Sequence, residues 1–265
     1  MDPYLLARRA AAALAELTGR TSHEALVVLG SGWAPAADAF GEPRARVPMT
    51  EVPGFQAPVA EGHLGEIRSC DVDGVATLVF LGRTHLYEGH GPTSVVHPIR
   101  TAAAAGVRLA VLTNANGALR DDWALGQPVL VSDHLNLTSV SPLAGARFVD
   151  LTDCWSRRLR DLARRLDPSL SEGVYALLRG PHYETAEEAE WLCRIGADML
   201  GMSTVLEAIA AREQGIDLLG VSTVTALELS GLAIDPSEVV AVAGRTAERM
   251  GPLLTRVVAA GAAKG

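Results

Sequence analysis

The chain has 265 residues, of which 48% are hydrophobic and 20% are charged, and its formal net charge is −8. This balance is typical of a folded globular protein and excludes a disordered chain. The acidic charge and the lack of a basic stripe argue against a nucleic-acid partner. The length fits one large domain, so we predict a single domain over residues 1–265.

Cysteine usage and hydropathy indicate where the protein works. Cys70, Cys154 and Cys193 are far apart and show neither CxxC nor zinc-ligand spacing. No stretch of about 18 uncharged apolar residues occurs, and the first residues lack the apolar core of a signal peptide. We therefore expect no disulfide framework, no metal site, no membrane span and a cytoplasmic location.

Apolar runs alternate with helical patterns along the whole chain. In chain order, the patterns predict a helix at 3–17, strands at 25–29 and 75–81, a helix at 94–105, strands at 109–113 and 129–132, a helix at 155–166, a strand at 174–177, helices at 186–195 and 205–214, a strand at 218–225 and a helix at 237–260. Near-continuous Val and Leu runs are typical of strands buried on both faces. The sequence therefore predicts an α/β sandwich with a mixed or mostly parallel central β-sheet flanked by helices.

Six polar or glycine-rich segments follow these elements or interrupt them. Most lie at the predicted carboxyl ends of strands, the edge at which open α/β sheets bind ligands. Four of the segments, 30–32, 62–65, 180–185 and 201–207, also have an ordinary structural explanation, such as a tight turn, a surface loop or a helix cap. The Pro- and Gly-rich stretch 48–65 predicts a long loop, which in a compact domain is commonly functional. The six segments are residues 30–32, 62–65, 82–90, 113–118, 180–185 and 201–207.

The side chains in these segments suit one small oxyanion and one sugar or heterocycle. Arg83, His85 and Tyr87 alternate along a predicted extended segment and should share one face. Arginine gives a planar fork of donors, and hydroxyl groups and glycine-flanked backbone add more. The candidate oxyanion donors are Ser31, Arg83, His85, Ser203 and the backbone near Ala115. The groups suited to a sugar or base are Tyr87, Tyr183, Met202 and Glu184.

The order of these motifs carries a resemblance to a known family. The motifs are Gly30-Ser31-Gly32, Gly62-His63-x-Gly65, Gly82-Arg83-x-His85-x-Tyr87-Glu88-Gly89, Asn114-Ala115, Asp133-His134-Leu135-Asn136, Gly180-Pro181-x-Tyr183-Glu184-Thr185 and Gly201-Met202-Ser203-Thr204. Together they resemble the trimeric purine nucleoside phosphorylases, from about residue 25 to the end. The resemblance implies a phosphorylase-type α/β domain, a homotrimer, and reversible phosphorolysis of purine (deoxy)ribonucleosides to free base and pentose 1-phosphate. It implies no metal and no organic cofactor, with inorganic phosphate as a co-substrate.

The resemblance also assigns roles to individual residues. It implies that phosphate is held by Ser31, His63, Arg83, His85, Ala115 and Ser203. It implies that the sugar and base contact Tyr87, Phe148, Tyr183, Glu184, Met202, Thr225 and Glu228, and that Phe148 does so in the neighbouring subunit. Its catalytic positions are His85, Glu184 and 226. The chemistry is consistent, because a fixed dianion stabilises a cationic sugar and charge on a leaving base needs a donor.

One segment departs from the family pattern. Ala226 stands where the family has an asparagine that donates to purine N7, and Glu228 stands where the family usually has an apolar residue. Asn116 and Ala118 also depart from a run of small residues. Losing a donor aimed at a leaving group costs about 3 kcal/mol. Related methylthioadenosine phosphorylases have acidic residues at 226 and 228, whereas Glu184 resembles the branch that acts on 6-oxopurines.

Three interpretations of Ala226 are open. The protein is a slow 6-oxopurine phosphorylase, or an enzyme for another base whose amino group meets Glu228, or a nucleoside-binding protein with little turnover. The complete phosphate set favours phosphorolysis. A metal-dependent nucleoside hydrolase would need a carboxylate cluster near the N-terminus, which Asp2 and the isolated Asp38 do not supply.

Overall fold

The structure, a computed structural model, describes residues 2–60 and 62–262. Within these residues the helices are α1 (Pro3–Thr18), α2 (Gly91–Val95), α3 (His97–Ala104), α4 (Arg157–Leu166), α5 (Ala186–Arg194), α6 (Val205–Glu213) and α7 (Pro236–Ala262). The strands are β1 (Ala25–Leu29), β2 (Ala45–Pro48), β3 (Glu66–Val72), β4 (Val75–Leu81), β5 (Leu109–Ala118), β6 (Pro128–Asn136), β7 (Ser171–Leu177), β8 (Met199–Gly201) and β9 (Asp217–Leu227).

The strongest apolar runs predicted their strands correctly. The strands predicted at 25–29 and 75–81 are β1 and β4 with the same bounds. The helix predicted at 94–105 is wrong in one respect, because it is two helices that meet at Val96. Pro98 lies in the first turn of α3 and has no N–H to continue the preceding helix.

The sequence patterns missed three strands and underestimated the length of others, most of all β5 and β6. β2 and β3 carry charged residues on an outer part of the sheet, and β8 has three residues, so none forms a long apolar run. β5 continues to Ala118, so residues 113–118 are strand and do not follow one as predicted. They are buried but include polar side chains, which hid the strand from a search for apolar runs.

The nine strands form one mixed sheet, as predicted. Their order is β2-β3-β4-β1-β5-β8-β7-β6-β9, and β9 also pairs with β5. The pairs β1–β4, β1–β5, β5–β9, β6–β7 and β7–β8 are parallel, whereas β2–β3, β3–β4, β5–β8 and β6–β9 are antiparallel. Strands β5, β8, β7, β6 and β9 therefore form a closed part of the sheet, because β9 pairs with β5. The predicted sandwich did not include this closure.

Two apolar cores lie on opposite faces of this sheet. β1 alternates between them, since Leu26 and Val28 belong to one core and Val27 and Leu29 to the other. The first core packs against α1, α3 and α6, and the second packs against α4, α7 and the 3-10 helix Ala34–Phe40. Burial on both faces explains the continuous apolar runs in the sequence.

The topology leaves an opening beside β5. β1 pairs with β5 only as far as Leu112, whereas β8 joins β5 at Gly117. Residues 113–116 lie between these two neighbours, at the carboxyl end of the parallel strands. A change of partner of this kind is the place where α/β sheets bind ligands.

Cys70, Cys154 and Cys193 are all free thiols. Among the residues described, no helix combines the length and the apolar character that crossing a membrane requires.

Candidate functional site

A pocket of about 160 Å³ lies at this opening. It brings together most of the residues that the sequence singled out, from six separate segments. Its lining residues are Ser31, His85, Tyr87, Asn114, Ala115, Asn116, Gly117, Tyr183, Leu200, Gly201, Met202, Ser203, Thr225, Ala226, Glu228, Ile234 and Val239.

A buried ion pair forms the floor behind one half of the pocket. The Nε of Arg83 donates to Glu207 Oε2 at 2.9 Å, and its Nη1 donates to the carbonyl of Thr113 at 2.5 Å. The third nitrogen, Nη2, is buried and has no hydrogen-bond partner among the described residues. A Cβ on Gly30 would lie 2.3 Å from Arg83 Nη1, so the guanidinium fits only because residue 30 is glycine. One charged donor is therefore left for an anionic ligand.

His63 orients the hydroxyl of Ser31. His63 Nδ1 lies 3.1 Å from the backbone N of Arg83 and 3.2 Å from its carbonyl oxygen, and Nε2 lies 3.1 Å from Ser31 Oγ. Burial, and then the charges of His85 and Arg83, lower the pKa of His63 to about 3, so the ring is neutral. In the tautomer that accepts the N–H of Arg83, Nε2–H donates to Ser31 Oγ, and the O–H of Ser31 is free to donate into the pocket.

A buried chain of hydrogen-bonded amides and hydroxyls leads to the hydroxyl of Ser203. Asn116 Nδ2 donates to Ser222 Oγ at 2.6 Å, Ser222 donates to Asn114 Oδ1, and Asn114 Nδ2 donates to Thr204 Oγ1 at 2.6 Å. Thr204 Oγ1 lies 3.0 Å from Ser203 Oγ. Either hydroxyl can donate across this contact, and when Thr204 donates, the O–H of Ser203 is left for a ligand.

Thr204 is also held in an unusual backbone conformation. Its φ is +75°, a value that a threonine rarely adopts. Its backbone N–H donates to Glu207 Oε2 at 3.1 Å, the same oxygen that accepts from Arg83. The carboxylate of Glu207 thus couples the guanidinium to the start of α6, and strain of this kind is concentrated at functional sites.

His85 and Tyr87 form one wall of the pocket. Their rings stack with centroids 4.7 Å apart at 10°. His85 Nδ1 lies 3.2 Å from Glu88 Oε1, and the same oxygen accepts from the backbone N–H of His85 at 2.7 Å. Burial raises the pKa of Glu88, but the hydrogen bonds from His85 outweigh it and hold the pKa below its ordinary value. The carboxylate therefore fixes Nδ1–H and leaves the other ring nitrogen, Nε2, for a ligand.

The other half of the pocket is acidic. Glu228 lines it, and a Cβ on residue 117 would lie 1.8 Å from Glu228 Oε1, so the carboxyl rests on β5 only because Gly117 has no side chain. Burial first, and then the charge of Glu184, raise the pKa of Glu228 to about 7. Glu184 Oε2 is buried with no partner among the described residues, and burial raises its pKa as well.

The base-side departures from the family pattern lie together in the structure. Ala226 is opposite Gly117 in the β5–β9 register, and Asn116 lines the same pocket. Asn116 uses its amide N–H on Ser222, while its Oδ1 is buried without a partner. In this arrangement Asn116 offers an acceptor, and Ala226 offers only a methyl group.

Four predicted residues do not line the pocket. His63, Arg83 and Glu184 are not among its wall residues. His63 contacts the wall residue Ser31, and the ion pair of Arg83 with Glu207 is buried behind the wall. The side chain of Phe148 is 95% exposed on an irregular segment. Its predicted contact with a neighbouring subunit stays a prediction.

Sequence reasoning assigned no role to several residues that hold the site together. The main ones are Glu88, Asn114, Gly117, Glu207 and Ser222. Glu88, Asn114 and Glu207 lie within the singled-out motifs, but their roles depend on contacts such as that between Arg83 and Glu207, which are 124 positions apart. Within residues 2–60 and 62–262, no group of three or more His, Cys, Asp or Glu side chains is arranged to hold a metal ion.

Comparisons with known proteins show the family to which this chain belongs. The model of the phosphorylase superfamily matches residues 24–259. A purine nucleoside phosphorylase of Mycobacterium tuberculosis is 55% identical over 260 residues, which cover 97% of each chain. One from Cellulomonas is 51% identical over 263 residues, covering 97% of this chain and 93% of the other.

A solved structure is similar over nearly the whole chain. It is isoform 2 of purine nucleoside phosphorylase from Schistosoma mansoni in complex with cytosine and ribose-1-phosphate, with a TM-score of 0.87 and 28% identity. The similarity covers 97% of this chain and 96% of that one.

The ion pair leads to a prediction about stability. Replacing one partner of a buried pair leaves an uncompensated charge, which costs about 3–5 kcal/mol. Glu207→Gln should therefore lower the free energy of unfolding by about 3 kcal/mol in a urea titration. Glu172→Gln is the matched control, because that partly exposed carboxylate also pairs with two arginines and its loss should cost about 1 kcal/mol or less. Equal losses in the two variants would contradict the prediction.

Proposed function

Because this chain belongs to the phosphorylase superfamily and has the function of a purine nucleoside phosphorylase, which is a pentosyltransferase, we propose that the pocket beside β5 is its active site. The observation that carries the proposal is the set of free donors in one half of the pocket. These are Arg83 Nη2 and the O–H groups of Ser31 and Ser203, and Nε2 of His85 lies beside them. A cation and two hydroxyl donors, with a ring nitrogen that can accept from a protonated phosphate oxygen, match a single phosphate.

The proposed roles follow from position. Phosphate contacts Ser31, Arg83, His85, Ser203 and the backbone of Ala115, while His63 holds Ser31 in place. The pentose lies against Tyr87 and Met202, and the purine lies against Tyr183, Glu184, Thr225, Ala226 and Glu228. A phosphate oxygen then attacks the anomeric carbon as the bond to the base breaks, and the fixed dianion stabilises the positive charge on the sugar.

We also propose the context in which the site works. The whole of residues 1–265 forms one phosphorylase domain, and the reaction uses phosphate as a co-substrate with no metal or organic cofactor. The three free thiols fit a cytoplasmic location, where cysteines are kept reduced.

A panel of purine ribonucleosides and deoxyribonucleosides tests the reaction. We expect free base and pentose 1-phosphate to form only when phosphate is present, with His85→Ala nearly inactive and a chelator without effect. Chromatography measures the free base and the pentose 1-phosphate in each reaction. Base release without phosphate would indicate a hydrolase, and saturable nucleoside binding without any product would indicate a binding protein. Either result would overturn the proposal.

The exposed Phe148 supports a proposal about assembly. A phenylalanine that is 95% exposed beside Arg147, which pairs with Glu213, is well placed to contact another molecule. We propose that the chain forms a homotrimer in which Phe148 completes the sugar site of the neighbouring subunit. The active site would then depend on assembly.

Subunit mixing tests this assembly. Phe148→Ala should raise the KM for nucleoside while the mass in sedimentation equilibrium stays that of three chains. When Phe148→Ala and His85→Ala chains are refolded together, some pockets combine an intact His85 with a neighbour's Phe148, so part of the activity should return. A monomer, or no recovery in the mixture, would contradict the proposal.

A further inference from the structure

The base half of the pocket contains a carboxyl group without a partner in the protein. Glu228 begins a 3-10 turn directly after β9 and lines the pocket next to Tyr183 and Ala226. The carboxyl packs against Gly117, which has no side chain in its way. No hydrogen bond from a described residue stabilises its charge. Packing therefore positions the carboxyl while its oxygens stay available to a ligand.

The surroundings of Glu228 favour its protonated form. Glu184 and Tyr183 lie on the segment before α5, Asp235 lies on the loop after the 3-10 turn, and β5 contributes no ionisable side chain. The acidic groups of α5, the helix that packs on this turn, are Glu187, Glu188 and Glu190, and its Arg194 pairs with Glu190. Burial first, and then the charge of Glu184, bring the pKa of Glu228 to about 7, so the carboxyl carries a proton in a large share of molecules at neutral pH.

Three of the neighbouring residues do not offer this proton. Ala226 has no donor, and the amide N–H of Asn116 is used by Ser222. Tyr183 has an O–H, but burial, and then the charges of Glu228 and other carboxylates, raise its pKa above the ordinary value. A departing purine gains negative charge, and a pocket with two ionised carboxylates would oppose it. A protonated carboxyl that transfers its proton to the base removes this repulsion, because the base then leaves without a negative charge.

Resting on the phosphorolysis proposed above, we infer that Glu228 is the general acid of this site and protonates the purine as it leaves. A phosphate oxygen forms a bond to the anomeric carbon, and the glycosidic C–N bond breaks with its electron pair passing to the base. An imidazole nitrogen of the base takes the carboxyl proton, so the base leaves neutral and Glu228 is left as a carboxylate. Glu228 then regains a proton from solvent, into which the phosphate proton of the product is released.

The test compares two substrates in wild type and Glu228→Gln. Inosine needs a proton to leave as a neutral base, whereas 7-methylguanosine carries a positive charge on its imidazole ring and leaves neutral without one. The measured quantity is the ratio of kcat/KM in wild type to that in the variant, for each substrate between about pH 6 and pH 9. Ionisation of phosphate and of the nucleoside cancels in this ratio.

For inosine we expect the ratio to be about 100 at the acid end and to fall towards one as the pH rises through the pKa of Glu228. For 7-methylguanosine we expect a ratio near one throughout, which also shows that the variant is folded. Glu228→Asp should restore part of the pH-dependent ratio. Glu187→Gln is the control, because it removes a nearby charge outside the pocket. The ratio of kcat/KM in wild type to that in Glu187→Gln should be near one for both substrates.

Two results would overturn the inference. One is an inosine ratio that does not change with pH, and the other is an equal loss with both substrates, which would indicate a structural role for Glu228. Failure of the proposed function is a different result, since wild type would then release no base from either nucleoside in the presence of phosphate.

Discussion

The buried ion pair between Arg83 and Glu207 is the interaction on which the site depends. Charges in the interior are stable only when they are paired and hydrogen-bonded. Here Glu207 and the Thr113 carbonyl satisfy two of the three guanidinium nitrogens, and the third has no protein partner. The fold meets this requirement with Gly30, which gives the guanidinium room, and with the part of β5 that extends beyond β1. The proposed phosphate would complete this coordination.

The pocket has two halves with opposite electrostatics. On the phosphate side, one arginine and several oriented donors provide local positive potential within a chain whose net charge is −8. Neutral groups such as His63 and Thr204 direct the protons of Ser31 and Ser203 into the pocket. On the base side, burial and then the charge of Glu184 raise the pKa of Glu228, and burial raises the pKa of Glu184. A reaction that places a dianion beside a cationic sugar and expels a base uses both kinds of environment.

Much of this could be predicted from the sequence, for identifiable reasons. Continuous apolar runs located β1 and β4 with their bounds, and the motifs around Arg83 and Ser203 placed the pocket at the carboxyl ends of strands. The closure of the sheet through β5 and β9 could not be predicted, because polar residues such as Asn114 and Asn116 interrupt the apolar pattern of β5. The partnership of Arg83 with Glu207 joins residues distant in sequence, and no local pattern shows it. The contact between Gly117 and the carboxyl of Glu228 likewise could not be predicted, because it depends on how β5 and β9 pack together.

The central claim is that the unpartnered Nη2 of Arg83 binds phosphate directly. Titration calorimetry of inorganic phosphate on wild type and Arg83→Lys tests it, since lysine keeps the charge but lacks the second fork of donors. A hydrogen bond to a charged group is worth about 1.5–3 kcal/mol, so the Kd should rise by about tenfold or more. Arg160→Lys, which replaces an arginine outside the pocket, should leave the Kd unchanged. An unchanged Kd in Arg83→Lys would contradict the claim.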